Sequence, residues 1–209
     1  IKFEKKGNTK TLIQDIKNNL TKTLGSGYEF RRVENVGPKV SAELLKGGLI
    51  AIAAALGAML FYIWIRFEWQ FGFGAVVALV HDVLFTLGVL SLFNIEFSLS
   101  SIAAILTIAG YSINDTVVIF DRVRENLRRY KKLNLVDLFN TSINNTLSRT
   151  VMTSITTLLA LFSLFILGGE VIKPFAFAMI IGVLIGTYSS IFIAVPTLLL
   201  FKFRPQEDD

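Results

Sequence analysis

The sequence contains no cysteine and a single histidine, and these two scarcities limit the chemistry open to the chain. Without thiols, disulfide bridges and thiolate metal sites are excluded. One histidine leaves little scope for a histidine-rich metal centre. No nucleophile–base set or metal cluster is recognisable in the apolar segments, so we predict a protein that is not an enzyme and holds no metal or cofactor.

Charged residues are also scarce beyond the first 46 positions. Over the whole chain, charged residues make up 18% of the 209 residues and hydrophobic residues 53%, and the mean hydropathy is +0.59. Most basic residues after position 46 stand at the ends of apolar runs. No continuous basic face is left, so the formal charge of +5 does not indicate a nucleic-acid partner.

Long apolar runs dominate the rest of the chain. A transmembrane helix needs about 20 apolar residues, with a range of roughly 17–25. Five segments meet this requirement, namely residues 47–65, 71–93, 99–120, 151–167 and 175–201. We therefore predict a mainly α-helical polytopic membrane protein in the lipid bilayer, with a transmembrane domain at 47–201 and a tail at 202–209. Buried helices of a large soluble core are the less favoured alternative.

Residues 1–46 are polar and predict part of a small α+β domain with a helical lead-in. Ile1–Phe3 reads as an extended piece, Thr9–Leu24 as an amphipathic helix and Tyr28–Val36 as a strand. The chain begins at Ile1 without a signal peptide. We expect either a cytoplasmic domain or an upstream segment that delivered the domain outside.

Basic residues predict the orientation of the five spans. Ten of them lie between spans one and two, between spans three and four, or after span five, whereas Lys173 is the one basic residue in the other connections. Cytoplasmic loops carry the excess of Lys and Arg. The C-terminus is therefore predicted to be cytoplasmic, and the N-terminal domain to lie outside.

The third span contains a carboxylate, Asp115, among the polar neighbours Tyr111, Ser112 and Asn114. A carboxylate within a membrane helix costs about 2.5–3.5 kcal/mol on insertion scales, so it is usually retained for function. Either Asp115 binds protons while facing other helices, or it is a structural group bonded to its neighbours. We prefer the first interpretation.

Arg149 stands where the fourth span begins and is the predicted partner of Asp115. With Asn145, Thr153 and Thr156 or Thr157 it recurs at three- or four-residue spacing, which predicts a polar stripe facing protein. A nearby guanidinium would hold Asp115 ionised, and its withdrawal would favour protonation. Asp115 and Arg149 are thus the predicted proton pathway, with protons as the coupling ion.

His81 and Asp82 lie in the middle of the second span and form a second titratable pair. Imidazole changes charge near neutral pH, so the pair is either a second proton relay or a polar packing pair satisfied by a neighbouring helix.

Two further patterns predict packing. Small residues repeat every fourth position in the fifth span, which allows close helix approach, at Ala178, Gly182, Gly186 and Ser190. An amphipathic stripe predicts a helix at 134–148 that lies along the cytoplasmic interface.

Several strings resemble the SecF family of protein-export membrane subunits, and the resemblance covers nearly the whole chain. They include residues 36–38 (VGP), 66–69 (RFEW), 81–83 (HDV), 110–115 (GYSIND), 121–126 (DRVREN), and 147–150 (LSRT). The resemblance implies a half bundle of the type found in resistance-nodulation-division transporters, and a ferredoxin-like periplasmic domain between the first two of six spans. This chain would then hold the C-terminal part of that domain and spans two to six.

The resemblance also implies partners and a role. SecF-type subunits work with SecD in the bacterial cytoplasmic (inner) membrane and assist the SecYEG channel and its accessory subunits. They use the proton motive force to promote export of preproteins. Asp115 and Arg149 match the positions tied to proton transport in that family. Two alternatives remain, a proton-driven lipid or drug exporter of the related superfamily and a non-transporting assembly module of the translocon.

Overall fold

The computed structural model describes residues 38–95 and 98–201, together with residues 14, 18–19 and 21–23, which are helical. The predicted strands, the ferredoxin-like domain, most of the Thr9–Leu24 helix and the 202–209 tail lie outside the described residues. The chain divides into two compact units, Ile1–Leu45 and Lys46–Asp209. The second unit contains the membrane helices.

Five long helices make up the described part of the chain. They are α1 (Pro38–Arg66), α2 (Trp69–Leu92), α3 (Leu99–Arg129), α4 (Leu135–Leu167) and α5 (Lys173–Ser189). Each contains a segment long and apolar enough to cross a membrane, and the fifth such segment continues to Leu200. The described ranges contain no strand. The prediction of a mainly α-helical polytopic membrane protein with five spans is confirmed.

The turn after α2 shows how local sequence ends a helix. Asn94 adopts a positive φ of 51°, a region that asparagine tolerates better than most residues. The backbone N–H of Ile95 donates to the carbonyl of Leu90 at 2.9 Å. This is the six-to-one bond of a Schellman cap, and it satisfies a carbonyl that the helix end would otherwise leave unpaired.

The loop between the third and fourth spans is shorter than predicted, because helices extend into it from both sides. Residues 135–167 form one continuous helix, so the helix predicted at 134–148 is present but is not separate from the fourth span. No glycine or proline interrupts this stretch. Its apolar residues Leu138 and Phe139 are buried in the same cluster as Phe120 and Val123 of α3. The amphipathic stripe therefore packs on a helix of the same chain.

Helix α5 packs against α2, α3 and α4. Its small residues make this possible. A Cβ atom on Gly182 would stand 2.2 Å from Cγ1 of Ile108, and one on Gly186 would stand 3.2 Å from Cβ of Ser112. Ala178 and Ser190, the other members of this predicted small-residue face, are fully buried. The missing side chains bring the backbone of α5 against α3.

The fifth span changes its helical geometry near its end. A π-helical turn at Ser190–Ala194 is followed by Val195–Thr197 and a 3₁₀ turn at Leu198–Leu200. Pro196 has no N–H to donate to the preceding turn, and membrane helices accommodate such a proline by local π and 3₁₀ adjustments. The proline thus accounts for the geometry around Ser190.

Two apolar clusters are separated by a polar layer. On α2, α4 and α5, buried polar residues lie between a section that belongs to one cluster and a section that belongs to the other, whereas on α3 Asp115 lies between Ile113 and Ile119 of the same cluster. The buried polar residues are Asp82, Thr86, Ser101, Ser112, Asp115, Thr116, Asn126, Ser142, Thr146, Thr150, Ser154, Ser189 and Ser190. The carboxylates of Asp82 and Asp115 therefore both lie within the helix bundle.

Candidate functional site

Asp115 lies at the junction of three helices. Its side chain is 8% exposed. The hydroxyl of Thr150 on α4 donates to Oδ1 at 2.7 Å. The hydroxyl of Ser190, the first residue of the π-helical turn that continues α5, donates to Oδ2 at 2.7 Å. Each carboxylate oxygen thus has a partner on a different helix, and the two bonds tie α3 to α4 and to α5.

Asp82 is the second buried carboxylate, and it is fully shielded, with 0% exposure. Ser112 of α3 and Ser189 of α5 both donate to Oδ2, at 2.5 Å and 2.7 Å. Nδ1 of His81 lies 3.1 Å from Oδ1. His81 itself is 33% exposed, so it extends from Asp82 towards the outside of the bundle.

A third group of polar side chains lies between α3, α4 and α5. The hydroxyl of Tyr111 donates to Ser154 at 3.3 Å, and Ser154 and Thr187 share a hydrogen bond of 2.7 Å. Ser154 stands one turn after Thr150 on α4, so this group adjoins the Asp115 site along that helix. It contains no carboxylate.

Arg149 does not occupy the predicted place beside Asp115. Its side chain is exposed, and among the described residues no ion pair joins it to Asp115. The next residue, Thr150, faces the carboxylate instead. Neighbouring helix positions point about 100° apart, so a residue beside Thr150 in sequence faces elsewhere. The prediction of an ion pair between Asp115 and Arg149 is therefore corrected: the structure contains no such pair among its described residues.

The buried polar stripe on α4 lies one residue later in the sequence than the predicted stripe, just as Thr150 follows Arg149. Asn145, Arg149 and Thr153 are all exposed, as is Thr156, whereas Thr157 is half-buried. Asn114 on α3 is also exposed, although it precedes Asp115 directly. The stripe that faces protein within this chain consists of Ser142, Thr146, Thr150 and Ser154.

The residues that the sequence prediction missed are Thr150 and Ser189, and Ser190 was assigned to packing alone. A signal for the first existed, because Ser142, Thr146, Thr150 and Ser154 recur every fourth residue. The presence of Arg149 led the prediction to choose the stripe one position earlier along the same helix. For Ser189 and Ser190 the signal was weaker, since two serines near the end of an apolar span also fit a packing face.

The partners of both carboxylates are mostly hydroxyl groups, and this determines what the site can do. A hydroxyl can donate to a carboxylate and can also accept from a carboxylic acid. Lysine and arginine can only donate, and among the described residues neither type pairs with Asp82 or Asp115. The arrangement therefore accommodates the carboxylates both with and without a proton. The described residues include no cluster of three His, Cys, Asp or Glu side chains that could hold a metal ion.

Comparison with known proteins places the chain in a family. Residues 16–204 match the family described as "Protein export membrane protein SecD/SecF, C-terminal". The chain belongs to this SecD/SecF family. The resemblance found in the sequence strings is thereby confirmed, and the chain is a multi-pass membrane protein of this family.

Two curated relatives show the extent of the likeness. The chain is 57% identical over 173 residues to the protein translocase subunit SecF of Cereibacter sphaeroides, covering 83% of the chain and 53% of that relative. It is 51% identical over 192 residues to the same subunit of Rickettsia rickettsii, covering 92% of the chain and 62% of the relative. The chain thus spans between 53% and 62% of the length of these SecF proteins.

Solved structures of the family share the helix arrangement. A crystal structure of SecDF from Thermus thermophilus, a translocon-associated membrane protein, matches with a TM-score of 0.77 and 47% identity. The match covers 81% of this chain and 24% of that one. A second SecDF structure, in a super-membrane-facing form, matches with a TM-score of 0.76 and 37% identity, covering 93% and 26%.

Proposed function

We propose that this chain is the membrane part of a SecF-like subunit that uses the proton motive force to assist protein export across the bacterial cytoplasmic membrane. The observation that carries the proposal is the setting of Asp115. It is a carboxylate buried between apolar helices, and both of its oxygens are bonded by hydroxyls. The names of the relatives, translocase subunits, support the export role.

The proposed proton-binding step takes place at Asp115. The ionised carboxylate accepts hydrogen bonds from Thr150 and Ser190. After protonation one oxygen carries a hydrogen and becomes a donor, so at least one of these two hydroxyls must turn. Because the bonds tie α3 to α4 and α5, the exchange alters how the three helices are held together. No catalysis of a covalent reaction is involved.

The free energy released by one proton crossing the membrane is large enough to drive this rearrangement of the helices. One proton that crosses a potential of 100 mV supplies about 2.3 kcal/mol. A bias of this size changes the ratio of two conformations by more than an order of magnitude, since about 1.4 kcal/mol corresponds to a factor of ten. Repeated protonation and release at Asp115 would therefore drive a cyclic movement of the bundle.

Arg149 has a different role in this proposal. It belongs to an exposed polar face of α4 with Asn145 and Thr153, which lie four residues away on either side. Ionisable groups in membrane helices almost always face protein or a water-filled cavity. We infer that this face is covered by the partner SecD, and that Arg149 acts at that contact. This chain covers only about a quarter of each solved SecDF chain. The remaining three quarters of those chains are large enough to contain such a partner.

The orientation rests on charge. Arg66 donates to Asp121 at 2.9 Å, and Arg124 donates to the backbone carbonyl of Arg66, so one end of α1 and α3 carries a cluster of arginines. The positive-inside rule puts this end in the cytoplasm. The N-terminal domain then lies on the periplasmic side, where it would meet preproteins leaving the SecYEG channel.

The test is export in proteoliposomes that contain the full-length protein, SecD and the SecYEG channel with its ATPase. Asp115→Asn is expected to reduce preprotein translocation to the level seen after an ionophore collapses the proton gradient. Asp121→Asn is the matched control, because it makes the same chemical change on the same helix at a half-exposed ion pair. The control is expected to keep the gradient-dependent stimulation.

A second candidate function is a non-transporting assembly module. It is favoured by the complete hydrogen bonding of Asp82 and Asp115, which is also what a purely structural polar layer would show. Under that function Asp115→Asn would leave gradient-dependent translocation intact. Loss of stimulation in a complex that still co-purifies with SecD and SecYEG would exclude it. Efflux of a lipid or drug without SecYEG would favour an exporter.

A further inference from the structure

Two consecutive serines donate hydrogen bonds to two different carboxylates. Ser189 is the last residue of α5, and Ser190 is the first residue of the π-helical turn that follows. Ser189 donates to Asp82 on α2, and Ser190 donates to Asp115 on α3, each at 2.7 Å. Adjacent helical residues point about 100° apart, so a single peptide unit can face two helices. Helix α3 makes the same double connection, because Ser112 donates to Asp82 one turn before Asp115. Both α3 and α5 therefore contact both carboxylate sites.

Asp82 resembles Asp115 in its surroundings. It is completely buried, and its partners are two hydroxyls and His81. The titratable groups near it are His81 on its own helix and Tyr188 on α5, whose ring centre lies 6.4 Å from that of His81. Asp115 receives only hydroxyls, from α4 and from the end of α5. Among the described residues, no lysine or arginine neutralises either carboxylate.

Each of the two serines has a second acceptor within reach. Ser189 Oγ lies 3.2 Å from the carbonyl oxygen of Gly186, and Ser190 Oγ lies 3.0 Å from that of Thr187. A hydroxyl has one hydrogen. When a carboxylate takes up a proton, its serine can therefore turn that hydrogen to the backbone carbonyl and accept from the acid. The second of these serines begins the π-helical turn that Pro196 imposes.

We propose that Asp82 is a second proton-binding carboxylate and that Ser189 and Ser190 couple its protonation to that of Asp115. An O–H bond forms at a carboxyl oxygen of Asp82 while an O–H bond of a hydronium ion, or the Nδ1–H bond of an imidazolium at His81, breaks and leaves water or neutral imidazole; no electron is transferred. The serine then releases the carboxylate and bonds its own helix. Since the two serines share a peptide unit, reorientation at one site changes the bond offered at the other. This inference rests on the proposed function at Asp115.

The test is infrared difference spectroscopy between acidic and neutral pH on the full-length protein in complex with its partner. Protonated carboxyl groups absorb in a C=O band that ionised carboxylates lack. We expect Asp82→Asn to remove one such contribution and Asp115→Asn to remove another. The contribution of Asp82 is expected to shift in Asp115→Asn, and in Ser190→Ala, although neither substitution contacts Asp82 directly. Ser163→Ala, which removes an exposed hydroxyl bonded to its own helix, is expected to change neither contribution.

A spectrum of Asp82→Asn identical to that of the wild type would overturn the proposal, as would an Asp82 contribution that stays unshifted in Asp115→Asn and Ser190→Ala. If Asp82→Asn fails to assemble, Ser189→Ala decides the question, because it removes one of the three partners of Asp82 and keeps the carboxyl. Proton flux separates the two claims. If Asp115→Asn loses proton flux while Asp82→Asn keeps full flux, this inference is contradicted and the proposed function is not. If Asp115→Asn keeps full proton flux, the proposed function itself is contradicted.

Discussion

Hydroxyl groups, and not cations, hold the buried carboxylate of Asp115. Thr150 and Ser190 each donate to one of its oxygens, while Arg149 is exposed. An arginine in contact with the carboxylate would favour its ionised form throughout a cycle. Hydroxyls can support both forms. The proposed function requires a group that gains and loses a proton in place, and hydroxyl partners allow this.

Replacing Thr150 with valine tests the contribution of one hydroxyl. Valine keeps the shape of the side chain but leaves Oδ1 of Asp115 without its donor. An unsatisfied buried acceptor costs about 1–3 kcal/mol, so we expect a lower melting temperature in detergent and a reduced proton flux. The control is Thr107→Val, because Thr107 is exposed and its hydroxyl bonds to a backbone carbonyl of its own helix. If both variants behave alike, the hydroxyl at position 150 has no special role.

Part of this site could be predicted from the sequence. Asp82 and Asp115 stand out because charged residues are rare inside long apolar runs. Their partners do not stand out, since serine and threonine hydroxyls can bond to the backbone of their own helix in any phase. On α4 two polar stripes run one position apart, and the presence of Arg149 favoured the wrong one. The structure decides between them by showing which stripe is buried.

At the scale of the helices, close contact between α5 and α3 depends on glycine. Gly182 faces Ile108, which is 1% exposed and belongs to the apolar cluster of the bundle. Gly182→Ala would place a Cβ 2.2 Å from Cγ1 of Ile108 and 2.3 Å from its Cδ1, the atom that valine lacks. Overpacking of this kind costs typically about 1–3 kcal/mol. We expect a lower melting temperature for Gly182→Ala, partly restored by adding Ile108→Val.

The matched control for that prediction is Gly88→Ala. Gly88 lies inside α2, and a Cβ there would meet nothing within 4 Å. Alanine is about 0.8–1.0 kcal/mol more favourable than glycine in a helix interior, so Gly88→Ala should be neutral or slightly stabilising. Equal losses at the two positions would show that the contact between Gly182 and Ile108 is not what destabilises the helix pair.

Helix existence was easier to predict than helix ends. Length and apolarity identify each span, because a bilayer sets both requirements. The extension of α4 back to Leu135 was missed, since an amphipathic stripe suits a membrane surface and a protein surface equally well. The π-helical turn was not predicted either, although Pro196 marks its place in the sequence.

At the scale of the whole molecule, the exposed polar face around Arg149 predicts a covering partner. The side chain makes no ion pair within the described part of the chain. Arg149→Met should therefore leave the melting temperature of the isolated subunit nearly unchanged, since surface substitutions usually stay within about 0.5 kcal/mol. In the complex with SecD it should abolish gradient-dependent translocation.

Arg128→Met is the control for this prediction. Arg128 is exposed at the end of α3, in the open groove that also contains Arg66 and Asp121. It is expected to leave both the melting temperature and translocation unchanged. A large loss of stability in isolated Arg149→Met would contradict the account, because it would mean that the arginine holds this chain together by itself.

The central claim is that Asp115 binds and releases protons, and proton flux measures this most directly. The full-length protein and SecD would be placed in liposomes with a pH-sensitive dye inside, and flux would be followed after an imposed gradient. Asp115→Asn is predicted to lower the flux to that of empty liposomes, while Asp121→Asn retains the wild-type rate. Wild-type flux in Asp115→Asn would contradict the account and leave the buried carboxylate as a structural group.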